Sequence, residues 1–268
     1  MKNLTIFFLF LGLISSNIRA QEEYIHEAIE FSLNDKVVLF GNDVKLRSEP
    51  NTTSKTLELL PILSKLTVLE KTTKTFFYNG IENPWYKVKT TNNQEGYVVG
   101  GLLALDSKKV DNWTYLVQLK LNEEKSFTVL RAVQGNSSEY IETTHQLANS
   151  TFSVKTYSNK GVEGIKNMIY IDYMAEACGE EGGGVYFFND GDSLIKAVEV
   201  SHVFNADVYW LEETITFPNE EGGSTGKIIF SREEGETFNN EILHEKKTIE
   251  TKEFIWEGKE LKLDTRQE

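Results

Sequence analysis

Short β-branched and aromatic runs, each bounded by Gly, Asn, Asp, Ser or Pro, recur along most of the chain, while helical periodicity is weak throughout. Such runs are strand signals and the residues between them are turn signals. The expected fold class is therefore all-β. In the first part the runs are Val37 to Phe40, Val44 to Arg47, Thr56 to Leu60, Leu66 to Lys71, Trp85 to Thr90 and Gly96 to Val99. Short strands packed this densely suggest a small barrel over residues 36–105.

At 268 residues the chain exceeds a single small module, and 26% charged with 40% hydrophobic residues lies in the globular range. Cys178 is its one cysteine. No intrachain disulfide can form and no Cys/His cluster exists for a structural zinc, so stability has to come from burial.

Residues 1–20 carry Lys2, the apolar run Ile6 to Ile14, and small or polar residues ending at Ala20. This is the order of a secretory signal peptide. A membrane span needs about 20 apolar residues, so no membrane span is expected, and Gln21 rather than a cysteine follows the expected cleavage point. The anticipated location is periplasmic or secreted. Losing the two cations Lys2 and Arg19 takes the formal charge from -13 to -15. The acid is concentrated late: residues 35–106 hold nine Lys/Arg against eight Asp/Glu, and residues 107–268 hold seventeen against twenty-nine. Phosphate backbones require clustered cations. No nucleic-acid partner is expected, and an anionic membrane surface is disfavoured on the same ground. Residues 21–35 read as a polar leader with a short helical turn over Ile25 to Phe31.

The first strands also carry a recognisable pattern: Val44-Lys45-Leu46-Arg47-Ser48-Glu49-Pro50, then an apolar middle from Leu57 to Glu70, then Trp85-Tyr86-Lys87-Val88 and Gly96-Tyr97-Val98. In order and spacing this resembles the bacterial SH3-like domain. The family usually has Asn where this chain has Lys45, and Thr72 to Pro84 reads as a longer loop bearing Phe76, Phe77 and Tyr78. The resemblance implies a binding module for cell-wall peptide, glycan or an envelope protein. It implies neither catalysis nor a cofactor. Its candidate binding residues are Phe76, Phe77, Tyr78, Trp85 and Tyr97. Three consecutive aromatics cannot all point inward on a strand, so at least one of Phe76 to Tyr78 is expected on an exposed face, to contact ligand or to pack the rim. In the plainer reading Trp85 and Tyr97 fill the barrel core, and in the other they line a ligand surface.

Residues 106–112, charged and without apolar periodicity, read as a linker. From Trp113 the runs resume at Trp113 to Lys120, Ser126 to Ala132, Thr151 to Tyr157, Met168 to Tyr173, Val185 to Phe188, Asp207 to Trp210, Thr214 to Phe217, Lys227 to Phe230, Thr248 to Glu250 and Phe254 to Trp256. They predict an antiparallel all-β domain over residues 113–268, a sandwich or a minimal propeller. Two hairpins in it echo one another: Tyr186 to Leu194, turning at Asn189-Asp190-Gly191-Asp192, and Phe254 to Leu261, turning at Glu257-Gly258-Lys259.

Three constellations invite chemistry. Gly222-Gly223-Ser224-Thr225-Gly226 matches the nucleophile-elbow spacing, but that motif needs a strand before it and a helix after it. Here Pro218 to Glu221 precede and a strand follows. The same stretch lacks the Ser/Thr of a phosphate loop, because Ile228 follows Lys227. Cys178, with His202 or His145 as base, has carboxylate neighbours that raise a thiol pKa, so a buried, inert cysteine is the expected state. Glu176, Glu180, Glu181, Asp190 and Asp192 gather about one predicted hairpin and would suit weak calcium binding or a solvated face. No metal site is assigned. Asn51, Asn112, Asn136 and Asn149 begin Asn-x-Ser/Thr triplets at chance frequency. The expected function is an exported, non-catalytic binding or adaptor protein of the cell envelope; the alternative is an exported hydrolase with a site in the acidic second domain.

Overall fold

The structure is a computed structural model that describes residues 24–26, 29–175, 177–205, 208–237 and 245–265. The expected signal segment, residues 1–20, lies outside the described residues. Every sheet is antiparallel. The first comprises β1 (Lys36–Val38), β2 (Val44–Arg47), β3 (Thr56–Leu60), β4 (Lys65–Tyr78), β5 (Ile81–Thr90) and β6 (Glu95–Val99), in the order β1-β4-β5-β6-β2-β3. It curls around Leu39, Val44, Leu46, Leu66, Val68, Tyr86, Val88, Val98 and Leu103. Backbone bonds from Leu39 to Ser64 and from Ala104 to Val38, with a bridge between Leu39 and Leu103, draw β1 onto both ends of the curl.

The second sheet holds β7 (Asp106–Val110), β8 (Trp113–Asn122), β9 (Lys125–Gln134) and β10 (Ile141–Gln146), ordered β10-β9-β8-β7. Residues 106–110 are therefore an edge strand, not a linker. Their charges read as loop because an edge strand needs only backbone pairing on one side and tolerates lysine on the other.

The third sheet is a meander of eight strands in chain order: β11 (Phe152–Ser158), β12 (Asn167–Tyr173), β13 (Glu181–Asn189), β14 (Leu194–Asn205), β15 (Tyr209–Thr216), β16 (Ile228–Thr237), β17 (Glu245–Glu257) and β18 (Glu260–Leu263). Thr248 to Glu250 and Phe254 to Trp256, expected as two strands, belong to the single long β17.

Alternation along these strands decides how the layers stack. On β8, Trp113, Tyr115, Val117 and Leu119 face β11 to β14 and meet Phe152, Val154, Ile169, Ile171, Val185 and Phe187. Leu116, with Val129 and Val133 of β9, faces the other way and packs on Phe40, Ile62 and Ala104 of the barrel. The four-stranded sheet is thus covered on both sides, which explains why β8 is apolar almost continuously rather than at every second residue. A sandwich results, not a set of propeller blades.

The third sheet also buries its far face, where Met168 and Phe188 pack with Val162, Ile165, Phe217 and Ile228 while Trp256 and Leu261 lie against them. For β17 and β18 to reach β12 and β13 the meander has to roll over.

The leader is part of the fold. Ile25 is 1% exposed within the sandwich core and exchanges two backbone bonds with Phe152, at 2.7 and 3.1 Å. Ile29 packs on the same core, and Phe31 packs on the barrel core edge-on to Tyr86, with ring centroids 5.5 Å apart. Ile25 forms a β-bridge because edge strand β11 offers it backbone partners; residues 27 and 28 of the expected turn over Ile25 to Phe31 lie outside the described residues.

Candidate functional site

On the barrel lies an open groove of about 550 Å³ lined by Glu49, Pro50, Asn51, Thr52, Lys74, Thr75, Phe76 and Trp85. That volume falls in the usual range for ligand sites, about 300–1,000 Å³. One wall is the β2–β3 loop, which is braced from within. The Asn51 side-chain oxygen accepts the amides of Thr53 and Ser54 at 3.0 and 2.7 Å, and the Ser54 hydroxyl donates to the Glu49 carbonyl at 3.0 Å. Arg47 donates to the Ser54 carbonyl at 2.7 Å and ties the loop to its strand. Such local side-chain to backbone bonds hold a turn without a core beneath it.

The opposite wall comes from β4 and β5. Thr72 to Pro84, expected as a long loop, is instead an extended hairpin: β4 runs on to Tyr78 and pairs with β5 through Phe76↔Asn83, Phe77↔Glu82 and Tyr78↔Ile81. Alternation then sets Phe77 on the face opposite Phe76 and Tyr78. Phe76, 39% exposed, stands edge-on to Trp85 with centroids 6.4 Å apart and planes at 67°. Phe77 projects from the other face and is 71% exposed. Tyr78, beside the turn of the hairpin, lies against Gly101, where a Cβ would come 2.8 Å from its ring.

Trp85 is buried, at 4% exposure, yet it is not in the barrel core. Tyr86 and Val88 take that face of β5, so Trp85 and Lys87 take the outer one. Tyr97, half-buried, lies opposite Lys87 in the β5–β6 register and opposite Arg47 across β2. It shares that outer face but does not line the groove. The structure therefore brings together Phe76 and Trp85 of the five expected residues and leaves Phe77, Tyr78 and Tyr97 apart. Glu49 to Thr52, Lys74 and Thr75 complete the lining; Pro50 of the opening motif was the signal available for them in the sequence.

Charge in and around the groove is mixed. Glu49 and Lys74 both line it. On the same outer face of β5, Lys87 and Glu95 pair at 2.7 Å; their mutual hydrogen bond holds the ammonium above its ordinary pKa and the carboxyl below its own. The arrangement suits a ligand offering both an apolar surface and groups of either sign.

A family model matches the pattern that the sequence carries in this barrel. Residues 42–104 are a bacterial SH3 domain. The match to this SH3 domain stops short of the sandwich, which has no family match. No curated protein and no solved structure matches the chain.

Outside the SH3 domain a second cleft, of about 300 Å³, is lined by Trp113, Gln134, Ser137, Glu139, Tyr140 and Asp192 among others. Trp113 is a core residue there, and the ring of Tyr140 carries the Arg131 guanidinium at 4.1 Å. Little aromatic face is left for a ligand.

The other expected constellations come apart. Cys178 is exposed, not buried, because its turn lies outside both packed layers. His145 is engaged with the Tyr173 hydroxyl at 2.9 Å and edge-on to Phe187, and burial pushes its imidazole pKa down. The His202 ring lies against the backbone of Gly182. Ser224 sits in a turn closed by a bridge to Lys227, with a strand following and no helix. The acidic residues do not gather: Glu181 opens β13 and Asp190 follows its far end, while Glu176 lies outside the described residues. Among the described residues no group of three or more His, Cys, Asp or Glu is placed to hold a metal.

Proposed function

We propose that the chain is an exported binding protein of the bacterial cell envelope, which takes cell-wall peptide or glycan in the groove between the Glu49–Thr52 loop and the Phe76–Trp85 corner. The observation that carries this reading is an open aromatic corner, built on rigid strands, inside a bacterial SH3 domain. Aromatic side chains contribute large contact area at low entropic cost. A self-braced facing loop limits the ordering needed on binding. Export rests on the order of charge, apolar run and small residues in positions 1–20. A mature terminus near Gln21 keeps Ile25, which the fold uses.

The test is retention of the mature protein by purified sacculi, comparing wild type with Phe76→Ala and Phe77→Ala. An aromatic contact of about 0.5–1.5 kcal/mol corresponds to roughly a two- to tenfold loss of affinity for Phe76→Ala, with Phe77→Ala near wild type. Equal retention of all three removes the groove from the site, and no retention at all removes the cell-wall ligand. N-terminal sequencing of protein recovered outside the cytoplasm tests export; a mature form that begins at Met1 refutes it.

A further inference from the structure

The hairpin that carries Phe76 belongs to the SH3 domain by pairing but is seated on the next sheet. Its tip is Asn79–Gly80, both left-handed with φ of 53° and 78°. The Leu121 amide of β8 donates to the Asn79 carbonyl at 2.9 Å. At Gly80 the fit is closer still, since a Cβ there would lie 2.0 Å from the Leu121 carbonyl oxygen. Only glycine allows that approach. Ile81 follows and packs against the sandwich core. Asn83 locks the end of the hairpin by donating to the carbonyls of Tyr78 and Ile81, at 3.2 and 2.9 Å.

Between the barrel and this seated end the β4–β5 register is broken, with a shift between Lys71 and Thr75. A bulge is a place where a strand bends, and a two-stranded ribbon alone is marginally stable. Phe76 stands on the outer side of that break.

We infer that Gly80 and Ile81 are positioning residues: through Leu121, the four-stranded sheet holds the outer hairpin so that Phe76 stands across from the Glu49–Thr52 loop. The SH3 groove is complete only while this seat is occupied. The inference rests on the proposed binding role for its consequence, but the seat can be read without any ligand.

The experiment compares full-length mature wild type, Gly80→Asn, Ile81→Ala and Gly258→Asn. Asn tolerates left-handed φ, so Gly80→Asn chiefly adds the clash with Leu121. Gly258 has φ of 60° with nothing within 4 Å of an added Cβ and controls for turn strain. Amide exchange by residues 75–84 should rise roughly tenfold or more in Gly80→Asn and in Ile81→Ala while exchange by β5 and β6 core amides stays put. Gly258→Asn should leave residues 75–84 unchanged. Affinity for purified sacculi should fall by the fraction of time the hairpin is unseated, about tenfold for a seat occupied a tenth of the time. Unchanged exchange over 75–84 in both hairpin variants overturns the inference, as does faster exchange there with undiminished sacculus binding. If wild type does not bind sacculi but the hairpin still loosens selectively, the binding role falls and the seat stands.

Discussion

Asp190 and Lys259 occupy the turns of the two hairpins whose sequences echo each other, and in the folded chain these turns touch: Lys259 Nζ lies 2.5 Å from Asp190 Oδ2. Phe188 and Trp256, one from each echoing strand, meet edge-on beneath them with centroids 4.9 Å apart. The two echoing hairpins are β13–β14, inside the rolled sheet, and β17–β18, at its edge, and the roll brings the second onto the first.

Asp190 makes that closure pH-dependent. Burial works to raise its pKa, but the Lys259 ammonium and the amides of Asp192 and Ser193 outweigh it and hold the carboxyl below its ordinary value. A lowered folded-state pKa stabilises above the unfolded value and is lost as pH falls through the folded one. Asp190→Asn should therefore cost on the order of 1 kcal/mol at neutral pH, and the gap from wild type should close below the ordinary carboxylate range. Urea unfolding at both pH values measures it; an equal gap at each excludes the pair as its source.

Ile25 should behave as a core residue despite its place in the leader. Ile25→Ala is expected to lower unfolding stability by about 2–5 kcal/mol, the usual cost of such a truncation in a packed core. Leu33→Ala, at an exposed site a few residues on, should be within about 0.5 kcal/mol of wild type. Chemical denaturation of the pair distinguishes an integral strand from a loose leader.

Tyr115 joins the two sandwich layers through its hydroxyl, which donates to the Asn167 side-chain oxygen and accepts from the Asn189 side-chain amide at 3.0 Å. All three side chains are buried, and desolvation pushes the phenol pKa well above its ordinary value. Tyr115→Phe should cost about 1–3 kcal/mol, because it leaves two buried amide groups short of a partner. A denaturation midpoint equal to that of wild type would show that the network can re-pair.

Within the SH3 domain, Tyr86→Phe removes the acceptor of the Phe31 amide, a bond of 3.1 Å. The expected loss is about 1 kcal/mol, together with faster exchange of the Phe31 amide. Unchanged exchange there would mean that the Tyr86 hydroxyl does not hold the Phe31 amide.

Much of the fold was legible because strand formation is local. The runs at Val44 to Arg47, Thr56 to Leu60, Trp85 to Thr90 and Met168 to Tyr173 became strands with little change, since β-branched residues between turn formers have few other ways to bury themselves. The SH3 pattern was legible for the same reason, being four local segments in a set order. Where partners decide, the residues by themselves were mute: Asp106 to Val110 is a strand because β8 lies beside it, and Ile25 is core because β11 offers an edge. The groove stands between these cases. Three adjacent aromatics had to diverge on any strand, which alternation alone requires. That Phe76 would find Trp85, that Trp85 would be buried outside the barrel core, and that Gly80 would sit against Leu121 depended on where a register break and a second sheet fell. Those are long-range packing relationships, and a single sequence carries no record of them until the layers meet.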